Sequence, residues 1–534
     1  MSRGAVREQP SAPGARASSP PGDPQTAEAG AALLGEGGNA IDAAVAAAFA
    51  AFVCELPLCS PLGGGVCLVE RGADAPVAFD MFARTPGLGL PPAPAARPPR
   101  DFAAVTVDFG AASQVFHVGR ASVAVPLALT GLLELHRRWG ARPLASVLAP
   151  AIALGRDGYT LGPGVAFVFE ILRPIVERTE ACRRLFLDGA GEIATTGARL
   201  TNRDLAATLE ALARRPEAVV RDLHEAFARE MGPDRGGLVT PEDVAAAAIA
   251  ERAPVIVDHG DWRLATMPSP STGGVLVALG LRLLEGVGRA PRLSREHVLL
   301  VAQAQEAMLA ERDETFAERC ADPVLVAALL ADERLAAARQ FARDNLLGST
   351  TQISAIDRSG TAVSLTLTNG EGSGHVLSGT GMIANNLLGE EDLHPRGFHR
   401  DPPGTPLATM MAPTLLSRGG DRVALGSGGS NRLRTAILQV LVGLVEHRVP
   451  AADAVLAPRL HLEIDAATKE PRIAFEAAGL GDDVVAALRD RYPSAPAVFA
   501  APNLYFGGVH LAMRVGDAFD GVGDPRRAGA RVIV

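Results

Sequence analysis

The spacing of apolar residues changes character near residue 350 of the 534-residue chain. Between residues 126 and 345 apolar residues recur every three or four positions, which predicts amphipathic helices. After residue 349 apolar and polar residues alternate in short runs, which predicts strands. The predicted helical segments are PLALTGLLELHRRWG, LASVLAPAIALGRDGY, TNRDLAATLEALARR, TPEDVAAAAIAE, GGVLVALGLRLLEG and REHVLLVAQAQEAMLAERDETF.

Two further helices are predicted, one near the N-terminus and one within the strand-rich part of the chain. A helix is predicted at about 38 to 53, where Asn39 and Asp42 can cap the first turn, and another at about 431 to 447. The strand-like runs are TQISAIDR, TAVSLTLT, GMIANNLL and RVALGSGG. Strands with helices added predict an α+β fold or a layered α/β/β/α arrangement.

Two stretches rich in proline interrupt these patterns. Residues 1 to 25 are rich in Pro, Ser, Gly and Ala, which predicts a disordered leader. TPGLGLPPAPAARPP, at 85 to 99, predicts an irregular excursion, because strong elements resume directly after it. The shift in composition near 345 to 350 is compatible with a domain boundary or with a more specific feature.

The composition is typical of a globular protein that does not bind nucleic acid. Hydrophobic residues make up 48% of the chain, charged residues 21%, and the formal net charge is −9. A nucleic-acid surface needs an excess of Lys and Arg, which this chain lacks. The run AIDAAVAAAFAAFVCELPL contains Asp42 and Glu55 and falls short of the ~20 apolar residues of a membrane span, so a buried helix is predicted and no membrane partner.

The cysteines and the N-terminal sequence bear on the compartment. Five cysteines are an odd number without regular spacing, which predicts buried thiols in a reducing environment; they are Cys54, Cys59, Cys67, Cys182 and Cys320. The first 30 residues show no apolar segment behind their Arg residues, so no secretory signal is visible. Together these features predict a cytoplasmic protein.

The sequence TTQISAIDRSGTAVSLTLT predicts a β-hairpin. A three-residue loop, Arg358 to Gly360, would place Gly360 in the left-handed conformation that such loops need. Asp357 then opposes Thr361, and counting outward along the ladder brings Thr350 opposite Thr368. The two hydroxyls would face each other across adjacent strands. A slip of one residue would instead move Thr368 to the other face.

Thr350 is either an ordinary residue at the start of a strand or a nucleophile. A threonine hydroxyl reacts only when a base takes its proton, and no His lies nearby in the sequence. If the chain were cut before Thr350, the new α-amine would lie within reach of the hydroxyl and would titrate near pH 8. Ser349 offers only a small side chain to hinder such a cut.

Two glycine-rich segments are candidates for binding through the backbone. ALGSGGSNRLRTAILQVL, at 424 to 441, places Gly428 and Gly429 before a helix, where backbone N–H groups can stabilise a developing oxyanion. A phosphate-binding turn or a simple turn is the alternative. Gly63 to Gly65 in SPLGGGVCLVE permit close backbone approach or form a tight turn.

Several stretches between about residue 25 and the C-terminus together resemble the γ-glutamyltranspeptidase family of N-terminal nucleophile hydrolases. They are GGNAIDAAVAAAFA, PLGGGVCLV, MPSPSTGGV, TTQISAIDRSGTAVSLT, GSGHVLSGTGMIANN, PLATMMAPTLL, LGSGGSNRLRTAILQVL, APRLHLE and GVGDPRRAGA. The resemblance implies a four-layer αββα fold made as a precursor. It also implies a cut between Ser349 and Thr350, which gives a large subunit of residues 26–349 and a small subunit of residues 350–534 that stay together as a heterodimer.

The resemblance assigns roles to residues of the reaction. It implies that Thr350 is the nucleophile, with its own amine as the base, and that the hydroxyl of Thr368 assists it. Gly428 and Gly429 are implied to form the oxyanion hole. Asn369 is similar to the family's substrate-contacting Asn.

The substrate-binding positions depart from the family pattern. The family's Arg that binds the α-carboxylate of the γ-glutamyl group is replaced by Phe82, counting without gaps from Pro86, and Arg84 lies two places away. The family's paired serines appear as Ala408 and Thr409. Glu390 is the nearest candidate for the acidic residue that binds the α-amino group. Loss of the guanidinium removes the bidentate group that recognises a carboxylate.

Other polar clusters have structural explanations. His375, His394 and His399 with Glu390, Glu391 and Asp392 match no standard metal-ligand spacing, so a solvated loop is predicted and no metal or other cofactor. The loop HPRGFHRDPPG is predicted near the substrate entrance. Arg526 and Arg527 in DPRR can bind an anion or form a structural ion pair.

Three functions are compatible with the sequence. The first is a self-processing threonine hydrolase or acyltransferase that acts through an acyl-enzyme on glutathione or another γ-glutamyl compound. The second uses the same groups on a different substrate, as a β-lactam side-chain acylase or as a hydrolase of a C–C bond next to a carbonyl in secondary metabolism. The third is a non-catalytic family member, which would show neither processing nor a reactive Thr350.

Overall fold

The structure is a computed structural model, and it describes residues 23–91, 100–108, 113–313, 315–331, 350–394, 396–464, 470–494 and 496–534. Ser349 and residues 1–22 of the predicted leader lie outside these ranges. The α-helices are α1 (Pro24–Gly35), α2 (Ala40–Cys54), α3 (Ala128–Trp139), α4 (Leu144–Asp157), α5 (Pro163–Ile171), α6 (Arg173–Val176), α7 (Glu180–Arg183), α8 (Arg203–Arg214), α9 (Pro216–Glu230), α10 (Pro241–Ala246), α11 (Thr272–Leu283), α12 (Arg295–Ala310), α13 (Phe316–Cys320), α14 (Pro323–Leu329), α15 (Leu433–Val445), α16 (Ala451–Leu456) and α17 (Asp482–Arg491).

The strands of the described ranges form two large sheets and several small ones. In chain order they are β1 (Gly64–Glu70), β2 (Val77–Met81), β3 (Ala103–Asp108), β4 (Ser113–Val118), β5 (Tyr159–Thr160), β6 (Arg199–Leu200), β7 (Ala250–Arg252), β8 (Val255–His259), β9 (Trp262–Thr266), β10 (Thr351–Ile356), β11 (Ala362–Thr368), β12 (Val376–Leu377), β13 (Met382–Ile383), β14 (Thr414–Arg418), β15 (Asp421–Gly428), β16 (Leu460–Ile464), β17 (Pro471–Glu476), β18 (Ala497–Phe499), β19 (Gly508–Val515) and β20 (Ala518–Val522).

Helix α2 begins where the sequence predicts. The side chain of Asn39 accepts hydrogen bonds from the N–H groups of Ile41 and Asp42, and Asp42 accepts one from the N–H of Asn39. This reciprocal arrangement satisfies N–H groups that have no partner inside the helix. Every residue of α2 is buried, so small Ala side chains let neighbouring elements pack closely around it.

Helix α1 is absent from the predicted elements. Asp23 caps it by accepting from the N–H of Gln25 at 2.8 Å, and its Ala and Leu side chains pack against α2. Pro24 and Gln25, which the sequence predicts to be part of a disordered leader, therefore belong to an ordered helix. The helix could not be predicted from composition, because the small residues that pack against α2 are also common in disordered chains.

The two large sheets pack face to face. Their strand orders are β10-β11-β1-β2-β7 and β20-β19-β15-β14-β9-β8, and all neighbours are antiparallel. Strands β10 and β11 contact β15 and β19, α2 covers the outer face of the first sheet, and α11 and α15 cover that of the second. This arrangement confirms the predicted α+β class and the four-layer αββα sandwich.

Small and polar side chains allow the two sheets to approach closely near β10. The hydroxyl of Ser364 donates to the carbonyl of Leu425 at 2.7 Å, and that of Ser354 donates to the carbonyl of His510 at 3.1 Å. Gly426 lies directly against the side chain of Gln352. These contacts hold the end of β15 against the start of β10.

Both large sheets combine strands from either side of residue 350. The first contains β1, β2 and β7 with β10 and β11, and the second contains β8 and β9 with four later strands. The change in composition near residue 350 is therefore not a boundary between separately packed domains. Within the described ranges, no helix is both long and apolar enough to cross a bilayer.

Candidate active site

The hairpin of β10 and β11 has the predicted register. Thr351 pairs with Leu367, and the N–H of Asp357 donates to the carbonyl of Thr361 at 3.0 Å. Gly360 has a φ of +82°, the left-handed conformation predicted for the loop. Thr350 directly precedes β10, so the same count brings it opposite Thr368. Both threonines are buried.

The row that begins with Thr350 and Thr368 continues across the sheet. Thr368 pairs with Gly64 of β1, and the pairing of Gly65 with Met81 brings Phe82 next to Gly64. Partners across strands point to the same face of a sheet. A Cβ atom on Gly64 would lie 2.7 Å from Cδ2 of Phe82, so the phenyl ring lies over a position without a side chain. The ring therefore forms an apolar wall on the face of the two threonines.

The glycine turn at the end of β15 lies against Thr350. A Cβ atom on Gly428 would collide with the carbonyl oxygen of Thr350. Gly429 has a φ of +125°, and a three-residue 3₁₀ turn separates it from α15. At the level of sequence, only the family resemblance predicts that this turn lies near Thr350. In the structure Gly428 lies directly against Thr350. Their roles as oxyanion hole and nucleophile stay predictions.

Asn369 has a buried side-chain amide. The residue is 0% exposed, and neither its amide nitrogen nor its amide oxygen has a hydrogen-bond partner among the described residues. Buried polar groups usually have partners, because an unmade hydrogen bond costs about 1–3 kcal/mol. The amide therefore suits a ligand, as the prediction for Asn369 requires.

Glu390 lies beside the turn that follows Thr368. A Cβ atom on Gly370 would lie 2.6 Å from Oε1 of Glu390. The N–H of Gly370 in turn donates to the hydroxyl of Thr368 at 3.0 Å. The structure therefore brings the predicted acidic residue next to the glycine whose N–H binds the predicted catalytic hydroxyl.

Arg84 is engaged in a buried ion pair. Its two terminal nitrogens donate to the carboxylate of Asp80 at 3.1 and 3.3 Å, and one of them also donates to the carbonyl of Ala248. Arg252 binds the same carboxylate at 3.0 Å. A substrate carboxylate would therefore compete with Asp80 for this guanidinium, and the substrate-binding role of Arg84 stays a prediction.

Ala408 and Thr409 follow a segment tied to the wall of Phe82. The N–H of Leu407 donates to the carbonyl of Ala83 at 3.1 Å. The hydroxyl of Thr409 accepts from the N–H of Met411 at 3.1 Å, so it already stabilises its own turn. Ala408 has no polar side-chain atom. The two positions thus offer less hydrogen bonding than a pair of serines.

Glu55 is a buried carboxylate, bound to the residue after Thr350, that the sequence did not indicate. It accepts hydrogen bonds from the hydroxyls of Thr351 at 2.8 Å and Thr26 at 2.9 Å. Burial, and then the charge of Asp23, raise the pKa of Glu55 to about 7. The carboxylate ties β10, directly after Thr350, to α1 and α2. Only the fold brings these distant segments together.

The three histidines of the possible metal cluster have separate partners. His375 contacts Asp101 at 2.9 Å, His394 contacts Asp401 at 3.4 Å, and Nε2 of His399 lies 2.9 Å from the carbonyl of Ala121. In the described part of the chain, no group of three or more His, Cys, Asp or Glu could bind a metal ion together.

Arg526 and Arg527 have different surroundings. Arg526 donates to Glu476 at 2.7 Å and pairs with Asp524 at 3.3 Å, so the structural alternative predicted for this motif holds for Arg526. The side chain of Arg527 instead runs toward Gly428 and Gly429. The sequence indicated this pair of arginines but not which of them reaches the site.

The chain is similar to known proteins over most of its length. The family model described as gamma-glutamyltranspeptidase matches residues 26–534. The Acylase ACY 1 proenzyme of Pseudomonas sp. (strain V22) is 34% identical over 463 residues, which cover 82% of this chain and 81% of the acylase. The glutathione hydrolase proenzyme of Escherichia coli (strain K12) is 26% identical over 482 residues, covering 82% and 80%.

The fold is also that of solved structures. The crystal structure of cephalosporin acylase from Bacillus halodurans superposes with a TM-score of 0.76 at 21% identity, covering 100% of this chain and 99% of the acylase. This likeness shows the fold alone. The family model and the 34% identical relative show the family to which the chain belongs. The chain therefore belongs to the gamma-glutamyltranspeptidase family.

Proposed function

We propose that this protein is a self-processing threonine hydrolase or acyltransferase that cleaves an amide through an acyl-enzyme on Thr350. The observation that supports this most directly is that a glycine turn from a distant part of the sequence meets the hairpin that carries the two threonines. Thr350 directly precedes β10, Thr368 falls opposite it, and Gly428 lies against its carbonyl group. A nucleophile, an assisting hydroxyl and backbone donors are what acyl transfer requires.

The reaction follows from these groups once the chain is cut before Thr350. The new α-amine takes the proton of the Thr350 hydroxyl, whose oxygen attacks the substrate carbonyl. The N–H groups of Gly428 and Gly429 stabilise the negative charge that develops on the carbonyl oxygen. The α-ammonium gives this proton to the leaving nitrogen as the C–N bond breaks and the amine departs. Water or another amine then attacks the ester, takes the acyl group and restores the hydroxyl of Thr350.

The apolar wall at Phe82 favours an acylase over a glutathione hydrolase. Phe82 occupies the position where the resemblance places a carboxylate-binding Arg, and Arg84 is bound to Asp80. A phenyl ring cannot form the bidentate hydrogen bonds of a guanidinium. The 34% identity to a protein named as an acylase supports the same choice.

A γ-glutamyl substrate is the second candidate. Glu390 lies next to Gly370, and Asn369 has a buried amide without a partner among the described residues. A carboxylate there suits the α-amino group that a γ-glutamyl group has and a simple acyl group lacks. Such a substrate would need a carboxylate-binding group other than Phe82 or Arg84.

Mass spectrometry of the purified protein tests the proposal. We expect two fragments of roughly 349 and 185 residues, as counted from a cut after Ser349. Incubation with an acyl p-nitroanilide should add the mass of the acyl group to the smaller fragment. An intact chain that acquires no acyl group would contradict the proposal and favour a non-catalytic protein. A cut chain that turns over no amide would favour cleavage of a C–C bond.

A further inference from the structure

The carboxyl group of Glu55 binds two buried threonine hydroxyls, one on each of its oxygens. Its Oε2 accepts a hydrogen bond from the hydroxyl of Thr351 on β10 at 2.8 Å, and its Oε1 accepts one from the hydroxyl of Thr26 on α1 at 2.9 Å. All three residues are buried, so none of them can exchange its partner for water. Each hydrogen bond therefore fixes the position of its threonine.

The turn that follows α2 binds both strands where the hairpin opens. The N–H of Leu58 donates to the carbonyl of Glu55 at 2.8 Å, and the carbonyl of Leu58 accepts from the N–H of Asn369 at 3.0 Å. Asn369 directly follows β11, whereas Thr351 is the first residue of β10. Residues 55 to 58 thus hold β10 through a side chain and β11 through its backbone.

The side chains of β10 alternate between the two faces of the first sheet. Ile353 packs in the core that contains α2, whereas the hydroxyl of Ser354 donates to a carbonyl of the second sheet. By this alternation Thr351 lies on the helix face and Thr350 faces the second sheet. Glu55 is therefore on the opposite face from the hydroxyl of Thr350 and affects it only through Thr351.

The peptide group between Thr350 and Thr351 is held from both faces of the sheet. On one face Gly428 confines the carbonyl of Thr350, because a Cβ atom on that glycine would collide with it. On the other face Glu55 holds the side chain of Thr351. The bond to be cut lies on the other side of Thr350, so these two contacts orient its hydroxyl toward that bond. A misplacement of about 1 Å can slow a positioned reaction by about 100-fold.

We propose that Glu55 is a positioning residue for the cut before Thr350, and that it acts by holding Thr351. This inference rests on the proposed self-processing. In the cut, the hydroxyl oxygen of Thr350 attacks the carbonyl carbon of Ser349, and its proton passes to the amide nitrogen as the C–N bond breaks. Water then hydrolyses the resulting ester, which leaves the carboxylate of Ser349 and restores the hydroxyl of Thr350.

The test compares Thr351→Val with Thr26→Val, because each removes one buried hydroxyl from the same carboxyl group. The cut is followed by gel electrophoresis during cell-free synthesis of the full chain. We expect Thr351→Val to lengthen the half-time of the cut by about tenfold or more and Thr26→Val by less than about threefold. Thr351→Ser restores the hydroxyl and should recover most of the rate.

A double-mutant cycle assigns the effect to Glu55. We expect Glu55→Leu to slow the cut as much as Thr351→Val, and the double variant to be no slower than either, because both changes remove the same contact. Effects that multiply would contradict the inference. Where Glu55→Leu does not fold, the comparison of the two threonine variants still decides.

Urea unfolding in a Thr350→Ala background separates positioning from stability. We expect Thr351→Val and Thr26→Val to lower the free energy of unfolding by similar amounts, because each deprives the same carboxyl group of one donor. Equal slowing of the cut by the two variants, or no slowing by Thr351→Val, would overturn the inference. A parent that is never cut would instead contradict the proposed function itself.

Discussion

The reactive groups around Thr350 are positioned by backbone pairing, whereas the wall around Phe82 is positioned by the packing of side chains. Thr350 and Thr368 face each other because a glycine loop sets the register of β10 and β11. Phe82 lies over Gly64 because that glycine has no side chain, and the guanidinium of Arg84 is bound by Asp80. Substitutions can therefore change the wall without disturbing the hairpin, which separates the acyl group accepted from the chemistry performed.

The largest expected effect is at the hairpin, with Thr350→Ala. Without the hydroxyl neither the cut nor the acyl-enzyme can form, so we expect an intact chain and a loss of activity of about 10⁴-fold or more. Thr350→Ser, which keeps a hydroxyl, should still be cut. Gel electrophoresis and mass spectrometry measure both, and a cut Thr350→Ala chain would show that another residue performs the reaction.

The glycine turn gives the next effect, with Gly428→Ala. The new methyl group would collide with the carbonyl of Thr350, so we expect kcat to fall by about 10²–10³-fold. Gly420→Ala is the matched control, because a Cβ atom there has no neighbour within 4 Å. If the two variants were equally active, the close approach of the turn to Thr350 would not matter for the reaction.

The pH dependence of the free energy of unfolding tests the role of Glu55, which binds the first residue of β10. Its pKa is about 7 in the folded protein against an ordinary value of 4.5, so the folded state binds the proton more tightly. The free energy of unfolding should therefore fall as pH rises from about 4.5 to 7, by about 3 kcal/mol from this group. Glu55→Gln does not titrate and should lose that fall.

The measurement uses urea unfolding at pH 5 and pH 8 in a Thr350→Ala background, which keeps one chain. The change between the two pH values in the parent, minus that in Glu55→Gln, isolates the contribution of Glu55. A difference near zero would mean that the carboxyl group titrates in the folded protein as it does when unfolded.

The smallest effect is expected at the wall, with Phe82→Leu. The smaller side chain keeps an apolar surface, so we expect normal cutting and a change of about tenfold in kcat/KM that differs between acyl groups. Steady-state kinetics with valeryl and phenylacetyl p-nitroanilides check this. A chain that is no longer cut would contradict the separation between wall and hairpin.

The sequence predicted the hairpin because its information is local. The loop RSG and the alternation on both sides determine which residues pair, and Thr350, Thr368 and Gly360 lie within twenty residues of one another. The layered fold and the main helices followed from periodicity in the same way. Helix α1 did not, because its small residues pack well only against α2.

The parts of the site that the sequence did not predict depend on contacts between distant segments. Glu55 meets Thr351, and Arg527 meets Gly428, only after the sheets have formed. Arg84 is a candidate by spacing, but the carboxylate of Asp80 on β2 binds its guanidinium together with that of Arg252. The sequence alone does not tell which of two neighbouring charged residues is neutralised by an ion pair, because that depends on how the chain packs.

The mixture of strands in both sheets has a consequence for the lifetime of the protein. Strands from before and after residue 350 pair with each other in both large sheets, β1 with β11 and β9 with β14, so a cut before Thr350 would leave two chains that share both sheets. Unfolding would release them as separate molecules with exposed strand edges, and refolding would become bimolecular and concentration-dependent. The mature protein would thus fold once, as a precursor, and its working life would be set by how slowly it unfolds.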